Sequence, residues 1–255
     1  MRVNYDEIAH LYDEPARDHQ VDRYLRAFLD LNPNIEQSKV RVLDVGCGTG
    51  KQLRANRSTL HDLQMIGLDR FRGMLRVGKS ACPSVAWIQG DGAELPFASG
   101  SFDYATSQFS YQHVRNTEKL IAELFRVLKP SGRFVMTNID PWSMTGWSIY
   151  RYFPEALDVD YQDFMPLDQF IALMVDAGFR DILSERTRID QNESVRRFLA
   201  YASERHRASQ FMAISDAAYD AGLRKLNEDA SKVDKHDKRL ESEFVLVTVS
   251  GDRPR

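Results

Sequence analysis

The chain has 255 residues, 43% hydrophobic and 28% charged, with 34 Lys and Arg against 37 Asp and Glu for a formal net charge of −3. This is globular composition, enough for one large domain or two small ones at about 100–200 residues each, and it excludes a disordered, collagenous or membrane-embedded chain. A slightly acidic chain is a poor polyanion binder, so no nucleic-acid partner is expected. Two cysteines, Cys47 and Cys82, cannot build a disulfide framework or a protein-only zinc site, so no metal is expected, and free thiols suit a reducing, cytoplasmic compartment. The opening MRVNYDEIAH places acids where a signal peptide needs an apolar stretch, and no apolar run approaches the ~20 residues of a membrane span. The sequence sets no oligomeric state.

In chain order, residues 1–39 read as helical, with Val21, Tyr24, Leu25, Phe28 and Leu29 on one face. From Val40 to about Ile139, short apolar runs alternate with helical stretches. The runs are Val40–Gly46, Leu63–Asp69, Val85–Asp91, Phe102–Phe109 and Gly132–Asp140. Near-continuous apolar runs between helices predict βαβ units and a parallel sheet covered on both faces. The helix before the fifth run carries Leu120, Ile121, Leu124, Phe125, Val127 and Leu128 at helical spacing, with Asn116 as N-cap and Pro130 and Gly132 beyond its end. A later helix carries Leu167, Phe170, Ile171, Met174 and Val175, with Gly178 as its C′ glycine. Further strands are expected over Arg180–Arg188 and Glu243–Gly251. Residues 191–231 read as helical between them, and Glu228–Glu243 reads as a solvated loop.

The sequence DVGCGTG sets Asp44, Gly46, Gly48 and Gly50 at a strand–helix turn, where glycines let the backbone approach a ligand. A dinucleotide fingerprint needs G-x-G-x-x-G/A, but position 51 is Lys and the third glycine comes one residue early. Asp44, two residues before the first glycine, is ill placed for a pyrophosphate and well placed for an ammonium. No P-loop is present. Asp69 ends the second run, where an acid commonly holds a ribose diol, and Asp91 ends the third, where it can meet an adenine amine beside Gly92 and Ala93. All three acids fall at strand carboxyl ends and suit a ligand with an amine, a ribose and an adenine but no phosphate.

On VLDVGCGTG, MIGLD, QGDGAELPF, FDYATSQFSYQHV and ELFRVLKPSGRFV the chain resembles the class I S-adenosylmethionine-dependent methyltransferases, in the small-molecule branch that includes ubiquinone/menaquinone-type and natural-product enzymes. The resemblance implies an α/β, doubly wound Rossmann-like sheet, parallel with one antiparallel C-terminal strand. It implies a single domain over 1–255, with a helical cap (1–39), a cofactor-binding core (40–140) and acceptor-side lid insertions (141–165 and 191–231). The implied cofactor is S-adenosyl-L-methionine, leaving S-adenosyl-L-homocysteine. Asp44, Gly46 and Gly48 would hold its methionine part, with Cys47 contributing backbone. Asp69 would take the ribose, and Asp91, Gly92 and Ala93 the adenine. Gln108 would border the methionine moiety, and Arg70 and Phe71 would flank the adenosine.

The acceptor is expected near SQFSYQHV. His113 is the candidate general base because histidine titrates near neutrality; a pocket contact or a helix-start packing role are its other readings. Tyr111, Asn138 and Asp140 are candidate acceptor contacts. Tyr5 and Tyr12 either close the pocket or pack helices. The aromatic segment with Trp142, Trp147 and Tyr150 either covers a flat, apolar or cationic acceptor or packs on residues 191–231. Planar-amide and nucleobase-amine acceptors are disfavoured because Ser107-Gln108-Phe109-Ser110 stands where [ND]-P-P-[YF] would be. The Arg-rich stretch 186–207 is interleaved with acids and reads as a solvated helix. The expected partner is a small-molecule acceptor. The alternatives are an RNA or protein methyltransferase and a non-catalytic cofactor-binding regulator.

Overall fold

The computed structural model describes residues 3–12, 20–144, 146–232 and 239–255. Asp13, His19 and His236, all in segments considered above, lie outside them. In chain order the elements are α1 (Tyr5–Ile8), α2 (Arg23–Leu31), β1 (Arg41–Val45), α3 (Lys51–Arg57), β2 (Gln64–Asp69), α4 (Arg72–Ala81), β3 (Ala86–Gln89), β4 (Phe102–Gln108), α5 (Thr117–Val127) and β5 (Leu128–Ile139). There follow α6 (Ser148–Tyr152), α7 (Glu155–Asp163), α8 (Leu167–Ala177), β6 (Arg180–Ser194), α9 (Val195–Ala202), α10 (Ser209–Ala213), α11 (Asp216–Ser231) and β7 (Arg239–Asp252).

The strands form a seven-stranded sheet in the order β3-β2-β1-β4-β5-β7-β6. β1 pairs in parallel with β2 and β4, β2 with β3, and β4 with β5. β7 runs antiparallel to β5: Arg253 N donates to Gly132 O, while at the other end Asp140 N donates to Val245 O. The expected doubly wound sheet with one antiparallel C-terminal strand is therefore the observed one.

The chain divides into two compact units. One comprises residues 4–138, 168–185 and 248–255. Its core sets Leu25, Phe28 and Leu29 of α2 against Val42, Met65, Tyr104 and Val135 of the strands. Asn116 caps α5 as expected, its side chain accepting from Lys119 N, and Gly178 takes the left-handed φ (+106°) of a helix-ending glycine. The other unit comprises residues 1–3, 139–167 and 186–247. Within it Phe153 packs on Phe211 and Tyr219, and Tyr152 on Phe198.

Three sequence expectations shift. β5 begins at Leu128, directly after α5, rather than at Gly132. Phe102 pairs with Leu128 and Tyr104 with Arg133, so Lys129–Gly132 form an irregularity inside the strand, with Ser131 at φ +64°. β6 continues to Ser194, so 186–194 is strand rather than the start of a helix. Two of its charges are paired, Arg186 with Asp140 and Arg188 with Glu243. β7 begins at Arg239, inside the segment expected to be loop.

Candidate active site

The glycine loop leaves β1 in left-handed turns that only glycine adopts without penalty: Gly46 (φ 74°), Gly48 (φ 55°) and Gly50 (φ 73°). The loop is tied to β2. Gly46 N and Cys47 N both donate to Leu68 O (2.8 and 3.1 Å), and Gly48 N donates to Asp69 Oδ2 (2.8 Å). A Cβ at Gly46 would overlap Ser110. Ser110 Oγ in turn donates to Val45 O (2.8 Å) and meets Ser107 Oγ (2.7 Å), which fixes the segment after β4 against the loop.

Three acids converge at the carboxyl edge of this sheet. Asp44, at the end of β1, is 3% exposed, and its Oδ1 is buried with no hydrogen-bond partner. Burial, with the negative charges of Asp22 and Asp69, pushes its carboxyl up to about 8. Asp69 is also buried and is pushed up by burial, but amides of Phe71, Gly48 and Arg70 pull it back. Phe71 N reaches its Oδ1 at 2.8 Å. Asp91 turns the chain after β3, accepting from Ala93 N at 3.0 Å, and Gly92 is buried against Leu120, Val45 and Val114. The buried Cys47 thiol is pushed well above its usual value by burial and the nearby carboxylates, so it is neutral. An unpartnered buried carboxyl oxygen beside the loop glycines fits a ligand carrying an ammonium, whose charge would favour the ionised form, and Asp69 keeps lone pairs for a diol.

A second group stands beyond β4, which ends at Gln108 as expected. Tyr111–His113 form a single 3₁₀ turn, so His113 precedes α5 rather than lying within it. Tyr111 is buried on Phe170. Tyr5 Oη lies 3.1 Å from His113 Nε2, and Gln112 Nε2 lies 3.3 Å from the same nitrogen. An amide NH₂ can only donate, so His113 Nε2 is the acceptor and Nδ1 carries the proton. Asn138 Nδ2 donates to Gln112 Oε1 (2.7 Å), which sets the amide's orientation. Burial first, and then the positive charge of Arg70, lower His113 to about 4. Arg70 lies over the Phe71 ring, and its Nη1 is buried without a partner. Tyr5 also packs edge-on against Tyr12 and Phe71, and Asp6 accepts from Gly73 N, so α1 is pinned to the start of α4.

The remaining candidates belong to the other unit. Asp140 is buried and engaged by Arg186 Nε (2.6 Å) and Ser143 Oγ (2.7 Å). Trp142 is 45% exposed and stacks on Tyr161 at 4.4 Å. Trp147 and Tyr150, read from the sequence as either covering an acceptor or packing, are interior. Trp147 packs edge-on to Tyr150 and against Phe244, and Tyr150 Oη donates to the buried Asp160 (2.7 Å), which also receives Gln210. Trp147 and Tyr150 thus contribute to this unit's own core, while Trp142 does not.

Two residues near Asp44 carried no motif. Thr106, opposite Asp44 in the β1–β4 register, has a buried Oγ1 without a partner. Asp22, which caps α2, accepts from Tyr104 Oη at 3.0 Å. The cap was legible as an acid before an amphipathic helix, whereas its tyrosine partner is a tertiary contact.

Residues 43–136 match a family model described as a methyltransferase domain. Over 143 residues the chain is 35% identical to the demethylmenaquinone methyltransferase of Renibacterium salmoninarum, covering 52% of this chain and 59% of that one. It is 36% identical over 143 residues to a bifunctional biotin biosynthesis protein of Cellvibrio japonicus, covering 56% and 26%. The chain thus spans little more than half the length of the former relative and about a quarter of the latter. Among solved structures, a protein described as a methyltransferase from an antibiotic biosynthesis pathway of Anabaena variabilis superposes with a TM-score of 0.69 at 19% identity, covering 92% of this chain and 99% of that one. Phosphoethanolamine N-methyltransferase 2 of Haemonchus contortus superposes with a TM-score of 0.56 at 24% identity, covering 90% and 53%. These likenesses show the fold. The methyltransferase-domain match lies over β1–β5, within a sheet whose order is that of these solved structures' fold.

Proposed function

We propose that the chain binds S-adenosyl-L-methionine at the glycine loop and transfers its methyl group to an O, N or C atom of a small organic acceptor, releasing S-adenosyl-L-homocysteine. The observation that carries this reading is the buried, unpartnered Asp44 Oδ1 beside three left-handed glycines. A carboxylate so placed is costly unless a cation completes it. Asp44 holds the cofactor's ammonium, Gly46, Cys47 and Gly48 line its methionine part, and Gln108 borders it. Asp69 takes the ribose hydroxyls, Arg70 flanks the adenosine, and Asp91 with Gly92 and Ala93 receives the adenine.

When bound, the cofactor supplies an electrophilic methyl on sulfur, and direct displacement then requires mainly alignment and exclusion of water. His113 is the base. Its Nε2 faces Tyr5 Oη, so the acceptor's proton passes to the phenol oxygen as the phenol proton passes to Nε2. Burial keeps His113 neutral at physiological pH, so it can accept a proton, with a weaker pull than an ordinary imidazole. Tyr12, Tyr111 and Asn138 shape this side of the crevice. Asp140, Trp142, Trp147 and Tyr150 are assigned to the acceptor side through the resemblance alone.

Calorimetry with S-adenosylmethionine, S-adenosylhomocysteine and NAD tests the cofactor assignment. Micromolar binding of the first two and none of NAD is expected, and tight NAD binding defeats it. Release of S-adenosylhomocysteine across a panel of phenols, acidic carbon acids and amines then tests the acceptor class.

A further inference from the structure

Asp44 has a companion at the carboxyl edge of the sheet. Asp44 pairs with Thr106 in the parallel β1–β4 register, and Thr106 pairs with Val135 on β5, so these three side chains stand in one row on the same face. Thr106 is 2% exposed, and its Oγ1, like Asp44 Oδ1, has no hydrogen-bond partner among the described residues. Its row offers it nothing but Asp44, since Val135 is apolar. Tyr104, one step below on the same strand face, already gives its hydroxyl to Asp22 Oδ2 at 3.0 Å. Gln108, which borders the methionine position in the reading above, stands one step above Thr106 at the end of β4. The neighbouring hydroxyls are satisfied: Ser107 Oγ meets Ser110 Oγ at 2.7 Å, and Thr137 Oγ1 meets Thr248 Oγ1 at 3.1 Å.

A buried hydroxyl without a partner destabilises a fold, and valine would fill the same volume at this position without that cost. Two such atoms at one level, a carboxyl oxygen and a hydroxyl oxygen, form a pair of acceptors awaiting a donor. Asp22 and Asp69 add their negative charges to that of Asp44, which disfavours a ligand carboxylate at this spot. An ammonium carries only donors, and it can give one N–H to each of the two oxygens.

We propose that Thr106 is a cofactor-binding residue: its hydroxyl accepts a hydrogen bond from the ammonium of the methionine moiety and, with Asp44, fixes that end of S-adenosylmethionine in the crevice. This rests on the methyltransferase reading above. The contact serves cofactor and product alike, because both carry the ammonium, and it leaves the ribose and the adenine to other residues. The hydroxyl that holds the ligand is also a liability of the empty protein, so binding and stability respond to its removal in opposite directions.

The test is calorimetry and thermal melting of wild type and Thr106→Val at pH 8.5 with three probes. They are S-adenosylhomocysteine, decarboxylated S-adenosylmethionine, which keeps the ammonium without the carboxylate, and 5′-methylthioadenosine, which lacks both. The first two are expected to bind Thr106→Val about 10-fold more weakly, the scale of one hydrogen bond to a charged group. Binding of 5′-methylthioadenosine should change less than about twofold, since it makes no such bond. Without ligand, the melting temperature of Thr106→Val should rise by about 2–4 °C. Thr106→Ser keeps the hydroxyl and should hold all three affinities within about twofold of wild type. Unchanged binding of the two amine probes overturns the proposal, as does an equal loss across all three, the mark of a hydroxyl that serves only the fold or a buried water. A loss confined to S-adenosylhomocysteine places the contact at the carboxylate and overturns it too, as does a lowered melting temperature. If Thr106→Val does not fold, Thr106→Ala is titrated with the same probes and the same expectations, and a position that tolerates neither serves the fold, against the proposal. A wild type that binds none of the three probes sinks the methyltransferase reading itself.

Discussion

Gly48 donates its backbone amide to Asp69 Oδ2 at 2.8 Å, so the acid at the end of β2 is also the clasp of the loop that follows β1. One carboxylate therefore orders the loop and, on the proposed reading, takes the ribose hydroxyls. Asp69→Ala removes charge-assisted hydrogen bonds worth about 1.5–3 kcal/mol. S-adenosylmethionine affinity is expected to fall roughly 10- to 150-fold. Because the clasp is lost too, thermal stability should drop in the absence of any ligand. Calorimetry and melting together check this, and a weakened affinity with an unchanged melting temperature would separate the two roles.

Asp44 gives the cofactor-free protein a distinctive pH dependence. Its carboxyl is raised to about 8, chiefly by burial. A group raised on folding contributes stability that is complete below its unfolded pKa of ~3.9 and is lost as pH rises through the folded value. Melting temperature without ligand should therefore decline as pH increases toward and beyond 8. Asp44→Asn should abolish that decline while weakening S-adenosylmethionine binding at least tenfold, about 1.4 kcal/mol. The same downward slope in Asp44→Asn would refute the assignment.

His113 works in the opposite sense. Lowered to about 4, it favours the neutral imidazole on folding, so its contribution is present above the unfolded value of ~6.5 and is lost as pH falls through the folded one. From residue type alone, its activity limb is expected near the ordinary histidine pKa. The buried setting moves that limb toward 4, and a kcat profile from pH 4 to 9 would locate it. His113→Ala should lower turnover by about 10²–10⁴-fold with S-adenosylhomocysteine binding intact. Tyr5→Phe should reproduce part of that loss, since it removes the hydroxyl at Nε2.

Gly50 is fixed by sterics on two counts, a left-handed backbone and the Trp87 ring lying where a Cβ would sit. Gly50→Ala should cost about 1–2 kcal/mol for the backbone alone and more for the overlap. Trp87→Phe in the same chain should recover part of the second cost. A double-mutant cycle in urea reads the coupling, and strict additivity would show that the ring yields freely.

The core of the fold was legible because its strands are covered on both faces. Val42–Val45, Met65–Asp69 and Tyr104–Ser107 are buried almost without interruption and read as apolar runs. The glycines and the acids at strand ends were legible as local chemistry. β6 was not read to its full length. It is the edge strand, its Leu183 and Ile189 face solvent, and Glu185, Arg186, Arg188 and Asp190 break any apolar alternation. The lowered proton affinity of His113 and the Tyr104–Asp22 contact depend on residues 43–108 positions away, which no spacing rule connects.

Trp87 has a further use. Its ring fills the space left by Gly50, Gly67 and Gly78, from the start of α3, from β2 and from α4, while its indole N–H is held by Cys82 O at 3.0 Å. The other two tryptophans, Trp142 and Trp147, belong to the other unit. Nature has in effect placed one intrinsic fluorophore against the back of the glycine loop. With Trp142 and Trp147 replaced by phenylalanine, ultraviolet emission would report ligand arrival at the loop in real time, without a label and without knowing the acceptor.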